Sequence, residues 1–198
     1  MPLPESCKPA SEGAERILAA AEELFAAHGY DAVSMNAIAE QAGVCKANIF
    51  HHFKSKNELY LAVLRGACAE NAAHIEQFAS APDGLAERFG QFAKGHLRQI
   101  LENERITRLV QRDLMENGPQ RGQELAEQVF GQKFARLVGI LRAGQKKNEL
   151  RPSVDPAMVA VLLIAADLFY FESREVLKHF PDVAFAGKPE RYSEMLVD

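Results

Sequence analysis

The 198-residue sequence lacks tryptophan, has only three cysteines, and contains no long uninterrupted apolar run. The cysteines, Cys7, Cys45 and Cys68, are far apart and without CxxC spacing, which argues against a disulfide framework or a zinc site. The longest apolar run, Ala157 to Ala166, has ten residues, whereas a membrane-spanning helix needs about 20. We therefore expect a protein of the reducing cytoplasm, with its cysteines as free thiols, that does not enter a membrane.

Signatures of catalysis and of cofactor binding are also missing. The sequence contains no glycine-rich phosphate loop, no GxSxG, no HExxH and no carboxylate pair beside a histidine. The adjacent His51 and His52 would point about 100° apart on a helix, so they cannot easily share one metal ion. We expect no enzymatic activity, no metal and no cofactor. The polar, proline-containing residues 1–12 have no apolar core of a secretion signal, and we interpret them as a mobile arm.

What the sequence does contain is apolar residues at helical spacing. Hydrophobic residues make up 47% of the chain and charged residues 25%, which is typical of a folded globular protein. No segment shows the alternation of a strand, so we predict an all-α fold. Gly29 should stop the first helix and Ser34 should cap the second. Further helices are predicted over residues 45–52, 56–80, 83–103, 105–116 (ended by the turn Asn117–Pro119), 123–146 and 156–179, with a short last one from Pro189.

The spacing of Ala39, Gly43 and Ile49 is that of a helix-turn-helix. A small residue lets two helices approach, a glycine four residues later allows a turn at positive φ, and an aliphatic residue anchors the second helix. On that second helix Lys46, Asn48 and His52 should lie away from the anchoring face. Four basic residues and one acidic residue lie between Val44 and Arg65, although the whole chain has a net charge of −4. This arrangement favours binding of the major groove of double-stranded DNA, with Lys54 and Lys56 on phosphates.

Tyr30, Ser34, "IAEQAGV" and "NIFHHFKSKNELYLAVL" resemble the N-terminal domain of the TetR family of transcriptional regulators. The resemblance implies a homodimer of subunits with a three-helix DNA-binding domain, a connecting fourth helix, and a helical domain that binds a small effector. We accordingly divide the chain into the arm 1–12, a DNA-binding domain 13–58 and a ligand-binding and dimerisation domain 59–198. By the resemblance, the family's DNA-contact positions are occupied by Ser34, Lys46, Ala47, Asn48, Phe50, His52 and Lys56.

Two of these positions depart from the family pattern. Phe50 stands where tyrosine is usual, so the phenol hydroxyl is missing; it either contacts sugar or a thymine methyl, or packs against the first helix. Cys45 stands where serine is common, which weakens the helix start. Its thiol is either an unreactive small group or a redox switch on the recognition helix.

The larger domain has no motif of its own, but it is rich in phenylalanine. We expect a pocket for an apolar or amphipathic effector, in which His96 is a polar handle or a hydrogen-bonded core residue. One arginine of the 105–112 stripe either turns inward to an acidic group or stays solvated, and Asp167 needs a partner or a rim position. The candidate pocket residues are Phe89, Phe92, His96, Leu109, Arg112, Met115, Phe130, Phe134 and Phe171.

The apolar run also predicts a dimer contact, because a helix that is apolar all round must be covered all round. We expect Met158, Leu162, Ala165 and Phe169 at a two-fold interface. Together these features predict a ligand-responsive dimeric repressor of an inverted-repeat operator, released by its effector. Control by a protein partner and activation instead of repression remain open.

Overall fold

The computed structural model describes residues 10–80 and 83–196, and every regular element in those ranges is helical, as predicted. Most of the predicted arm, residues 1–9, lies outside the described residues, and the first helix already begins at Ala10. In chain order the elements are α1 (Ala10–Ala32), α2 (Met35–Ala42), α3 (Lys46–His52), α4 (Lys56–Ala67), α5 (Ala69–Ser80), α6 (Leu85–Glu102), α7 (Glu104–Leu125), a π-helical turn (Ala126–Phe130), α8 (Gly131–Lys146), α9 (Pro156–Leu177) and α10 (Pro189–Met195).

Local signals act on the first helices at the positions that the sequence predicted, although α1 resumes after Gly29 and ends at Ala32. Gly29 has non-helical angles (φ 80°, ψ 170°) and interrupts α1. The Ser34 hydroxyl accepts the Ala37 N–H at 3.1 Å and caps α2. Gly43 ends α2 in the left-handed region (φ 62°), a conformation that costs an L-residue with a side chain about 1–2 kcal/mol.

The chain divides into two compact units. The first unit comprises the chain up to Ala67 together with Arg105–Val129, so it includes α7, which the predicted division had placed with the C-terminal part. In this unit α1 packs against α2, α3 and α4. Its core contains the fully buried side chains of Ile17, Phe25, Ile38, Ile49, Leu59 and Leu64.

The second unit comprises Cys68–Glu104 and the chain from Phe130 onward. Here α6 packs against α5, α9 and α10, and α8 packs against α5 and α9. The core between these helices is apolar and well buried, and it consists of Ile75, Phe78, Leu85, Phe92, Ala93, Leu137, Val138, Ile140, Leu141, Ala160 and Leu163.

Two predicted helix boundaries were wrong. The helix predicted over 56–80 is divided into α4 and α5 at Cys68. Gly66 lies two residues earlier, and a glycine inside a helix lowers its stability. The turn predicted at Asn117–Pro119 does not form, and α7 continues through Pro119 to Leu125. A proline inside a helix costs about 3 kcal/mol, but the residues that follow it are buried or hydrogen-bonded within the first unit, as described below.

By length and composition alone, α9 is apolar enough to cross a membrane, which the ten-residue apolar run did not predict. A single helix of this kind is weak evidence for a membrane span, because core helices pass the same test. One side of α9 is in the core of the second unit, where Ala160, Leu163, Asp167, Tyr170 and Phe171 are buried.

Candidate DNA-binding surface and effector unit

Helix α3 presents part of the predicted DNA-binding surface to solvent. Ile49 anchors the helix in the core with no exposed area, whereas Lys46 and Ala47 are exposed and Phe50 is 45% exposed. Cys45 precedes α3 without a side-chain hydrogen bond to the helix start. The structure therefore shows Phe50 as an outward apolar group and α3 as a helix without a capping hydroxyl.

Asn48 and His52 lie on the side of α3 that faces α1. A Cβ atom at Gly13 would lie 3.4 Å from His52 Nε2 and 3.6 Å from Asn48 Oδ1. Asn48 Oδ1 is buried and has no hydrogen-bond partner among the described residues. These two residues are therefore less exposed than Lys46, and their contact with bases stays a prediction.

The remaining predicted DNA contacts lie at or next to the starts of α2 and α4. The Ser34 hydroxyl caps α2, and the side chain of Lys54 is exposed. The Lys56 ammonium lies 3.4 Å from the carbonyl oxygen of Asp31 and 4.3 Å from the centre of the Tyr30 ring. Lys56 is thus held against its own domain by contacts with residues at the end of α1.

Arg16 supports the turn between α2 and α3, a role that the sequence did not reveal. Its guanidinium donates to the carbonyl oxygens of Ala42 and Gly43, the latter at 3.0 Å. These carbonyls belong to the end of α2, where a helix leaves acceptors without partners inside the helix. No sequence pattern links an arginine on one helix to a turn 26 residues later.

A second group that the sequence did not reveal connects α7 with α4 inside the first unit. Arg121 Nη2 donates to Asn57 Oδ1 at 2.8 Å, and Arg121 Nε donates to Glu124 Oε2 at 2.9 Å. Asn57 Nδ2 in turn donates to Glu124 Oε1 at 2.7 Å. The sequence predicted that one helix ends near Glu116 and that the next begins near Gln123, so Arg121 fell between two predicted helices and Glu124 in the second of them, whereas both lie on α7.

The second unit contains five of the nine candidate pocket residues in or beside its core. Phe92 belongs to the core, Phe89 and Phe134 pack against it, and Phe171 is buried. His96, the fifth, is buried on α6 and has a polar partner on α9. A sixth candidate, Phe130, is partly exposed at the end of the π-helical turn.

His96 and Asp167 form a buried polar pair between α6 and α9. His96 Nδ1 lies 2.7 Å from Asp167 Oδ2, and Asp167 has no exposed area. Burial raises the pKa of Asp167, while the hydrogen bond from His96 acts in the opposite direction. The predicted need of Asp167 for a partner is met, and His96 is hydrogen-bonded next to Phe92, whose ring stacks on it at 5.9 Å.

The three remaining pocket candidates belong to the first unit, so the predicted set is divided between the two units. Leu109 is buried, Met115 is 82% exposed, and Arg112 Nη2 donates to the carbonyl oxygen of Phe25 at 3.2 Å. The arginine buried in the second unit is instead Arg88. Its Nη1 donates to the Phe78 carbonyl at 3.1 Å, and its Nη2 lies 3.6 Å from Glu149 Oε2.

The residues predicted at a dimer interface form one exposed side of α9. Met158 is 56% exposed, Leu162 60% and Phe169 67%, and Ala165 is exposed between them. Among the described residues no group of three or more His, Cys, Asp or Glu side chains is placed to hold a metal ion.

Comparison with known proteins identifies the family to which this chain belongs. The family model described as "Bacterial regulatory proteins, tetR family" matches residues 17–63, and the model of the tetracyclin repressor-like C-terminal domain matches residues 86–198. The second match alone covers more than half of the chain. The chain belongs to the TetR family. TetR-family proteins are DNA-binding regulators of transcription, and the resemblance inferred from Tyr30, Ser34 and the segments at 38–44 and 48–64 is confirmed.

Individual TetR-family relatives match to different extents. The chain is 49% identical over 57 residues to the transcriptional activator FasR of Mycolicibacterium smegmatis, covering 29% of this chain and 26% of FasR. It is 29% identical over 163 residues to the regulator RutR of Escherichia coli K12, covering 78% of this chain and 71% of RutR. The structure of the fatty acid degradation regulator FadR from Bacillus halodurans matches with a TM-score of 0.75 at 17% identity, covering 98% of this chain and 97% of that chain. These relatives are regulators rather than enzymes.

Proposed function

We propose that this TetR-family protein is a cytoplasmic, dimeric repressor that binds an inverted-repeat operator and is released by a small apolar or amphipathic effector. The observation that carries the DNA part is the exposed face of α3, with Lys46, Ala47 and Phe50 outward while Ile49 is buried. Lys54 and Lys56 follow at the start of α4 and supply positive charge for phosphates. Two such helices in a dimer would read half-sites about one helical turn, or a multiple of it, apart.

The DNA part is tested by footprinting the purified protein on its own upstream DNA over a salt series. We expect protection of an inverted repeat, with an affinity that falls steeply as salt rises. Lys46→Ala should weaken binding and relax the preference for one base, with about 1–3 kcal/mol of discrimination lost. The exposed Lys147, on the second unit, offers Lys147→Ala as a matched control. Salt-independent or absent protection would contradict the proposal.

The exposed side of α9 supports the dimer. A row of apolar side chains that are more than half exposed is unusual on a monomer and typical of an interface. Leu162→Glu and Phe169→Glu should shift sedimentation velocity profiles of micromolar protein from dimer to monomer. Met115→Glu, at an even more exposed apolar residue of α7, is the control and should leave the mass unchanged. A wild-type monomer would instead favour a different protein partner for this surface.

The second unit is the proposed effector-binding part. Its aromatic side chains suit an apolar ligand, while the His96–Asp167 pair and Arg88 are buried polar groups that could fix a polar end. A thermal shift assay with straight-chain carboxylic acids of increasing length tests this. We expect a rise in melting temperature that Arg88→Gln reduces more than Arg151→Gln, a change at an exposed arginine of the same unit. Equal effects of the two variants would contradict a role of Arg88.

Activation is a second candidate, because FasR is described as an activator. The position of the footprint separates the two functions. Protection that overlaps the promoter supports repression, whereas protection only upstream of it, with a rise in transcription on adding the protein, supports activation.

A further inference from the structure

Arg121 lies outside residues 17–63, the segment that the family model of the DNA-binding domain matches. All three nitrogens of its guanidinium nevertheless face partners in the first unit. The two hydrogen bonds to Asn57 and Glu124 are described above, and Nη1 lies 3.6 Å from Asp113 Oδ1. Asp113 is only 2% exposed, and Arg121 itself has a side chain that is 19% exposed. We call Asn57, Asp113, Arg121 and Glu124 the Arg121 cluster. Charge-assisted bonds in such partly buried surroundings fix side-chain geometry.

The Arg121 cluster is joined to a predicted DNA-contact residue through one aromatic ring. The Arg121 guanidinium lies 5.7 Å from the centre of the Tyr30 ring, and the Lys56 ammonium lies 4.3 Å from the same centre. Tyr30 also packs edge-on against Tyr60, with ring centres 4.8 Å apart. Asn57, the next residue after Lys56, is held by Arg121 directly. Arg121 of α7 therefore contacts both the residue that follows Lys56 and the aromatic ring against which the Lys56 ammonium lies.

From this geometry we propose that Arg121 is a positioning residue for DNA binding, which holds the first turn of α4 and Tyr30 so that Lys56 presents its ammonium to a DNA phosphate. Arg121 acts through Lys56 and contacts no DNA itself. The inference rests on the proposed function, and it extends the DNA-binding machinery to a residue 65 positions beyond Lys56. It also gives a reason for α7 to continue past Pro119, since a helix ending at Glu116 would leave Arg121 without this position.

The test measures fluorescence anisotropy of full-length protein on a labelled duplex that wild-type protein has enriched from a randomised pool. The variants are Arg121→Gln, Lys56→Ala and the double variant, each over a salt series. Arg105→Gln, an exposed arginine at the start of the same helix, is the matched control. Circular dichroism confirms folding, and Arg121→Lys retains the charge should Arg121→Gln fail to fold.

We expect Arg121→Gln to weaken binding about tenfold in the wild-type background and less than about threefold in the Lys56→Ala background, because coupled residues are not additive. Lys56→Ala should lower the salt slope by about 1, whereas Arg121→Gln should leave the slope unchanged. Additive effects, a lowered slope for Arg121→Gln, or an effect no larger than that of Arg105→Gln would each overturn the inference. Failure of wild-type protein to enrich any duplex would overturn the proposed function, and this inference with it.

Discussion

Replacing His96 by leucine should destabilise the second unit strongly, because it leaves a carboxyl group buried without its partner. The pair is short, at 2.7 Å, and the side chains are 8% and 0% exposed, so water cannot replace the imidazole. Leucine has a comparable volume, so little of the effect would come from a cavity. Leaving a buried hydrogen-bonding group without its partner typically costs about 1–3 kcal/mol, and more when the group is charged.

The pH dependence of this variant has a definite sign. Burial raises the pKa of Asp167, and His96 and, to a smaller degree, Tyr192 oppose that rise. In His96→Leu the main opposing contribution is lost, so the pKa of Asp167 in the folded protein rises further. A carboxyl with a raised pKa in the folded state stabilises it at low pH, and that contribution is lost as the pH rises through the folded-state pKa. The variant should therefore be less destabilised at a pH of about 5 than at about 7.5.

Urea unfolding at fixed protein concentration measures these differences, since the stability of an oligomer depends on concentration. The double variant His96→Leu/Asp167→Leu removes both members of the pair. Its loss of unfolding free energy should be at least about 1 kcal/mol smaller than the sum of the losses in the two single variants. Strictly additive single effects, with no change between the two pH values, would refute the reasoning that the pair is coupled in the core.

Three further substitutions have expected outcomes. Gly144→Ala would place a Cβ 2.5 Å from Leu85 Cδ2 and should lower the stability in urea by about 1–3 kcal/mol. Gly139→Ala on the same helix meets open space, and that control should be neutral or stabilising by up to about 1 kcal/mol. Gly43→Ala forces alanine to φ 62° with its Cβ 2.7 Å from Arg16 Nη2, and it should lower the melting temperature and weaken DNA binding together. Cys45→Ser supplies a capping hydroxyl to α3 and should stabilise the protein by about 0.5–1 kcal/mol in thermal melts. An unchanged melting temperature would contradict the view that α3 lacks a cap.

The helix-turn-helix was predictable because its determinants are local. Ser34, Gly43 and Ile49 act within one or two turns of chain, through a cap, a left-handed turn and an anchoring side chain. The exposed side of α9 was predictable for a similar reason, because period and length decide which faces of a helix are apolar. The need of Asp167 for a partner followed from the cost of burying a charge, although its position relative to α6 did not.

What the sequence could not predict are contacts between residues far apart in the chain. Asn57 and Arg121 are 64 residues apart, and no periodicity pairs them. Asparagine, glycine and proline in succession are a strong local signal for a turn, yet tertiary contacts of Arg121 and the buried Leu125 outweigh it. The candidate pocket residues are divided between the two units, and sequence periodicity alone did not predict to which unit α7 belongs.

The successive helices α6 and α7 belong to different units, and this matters for how an effector could act. The chain passes between the two units after Ala67, after Glu104 and after Val129, and each position lies at or next to an interruption of helix. The last of them is inside the π-helical turn, an element often found at functional sites. Two of these positions flank α7, and the Arg121 cluster ties α7 to the first turn of α4 within the first unit.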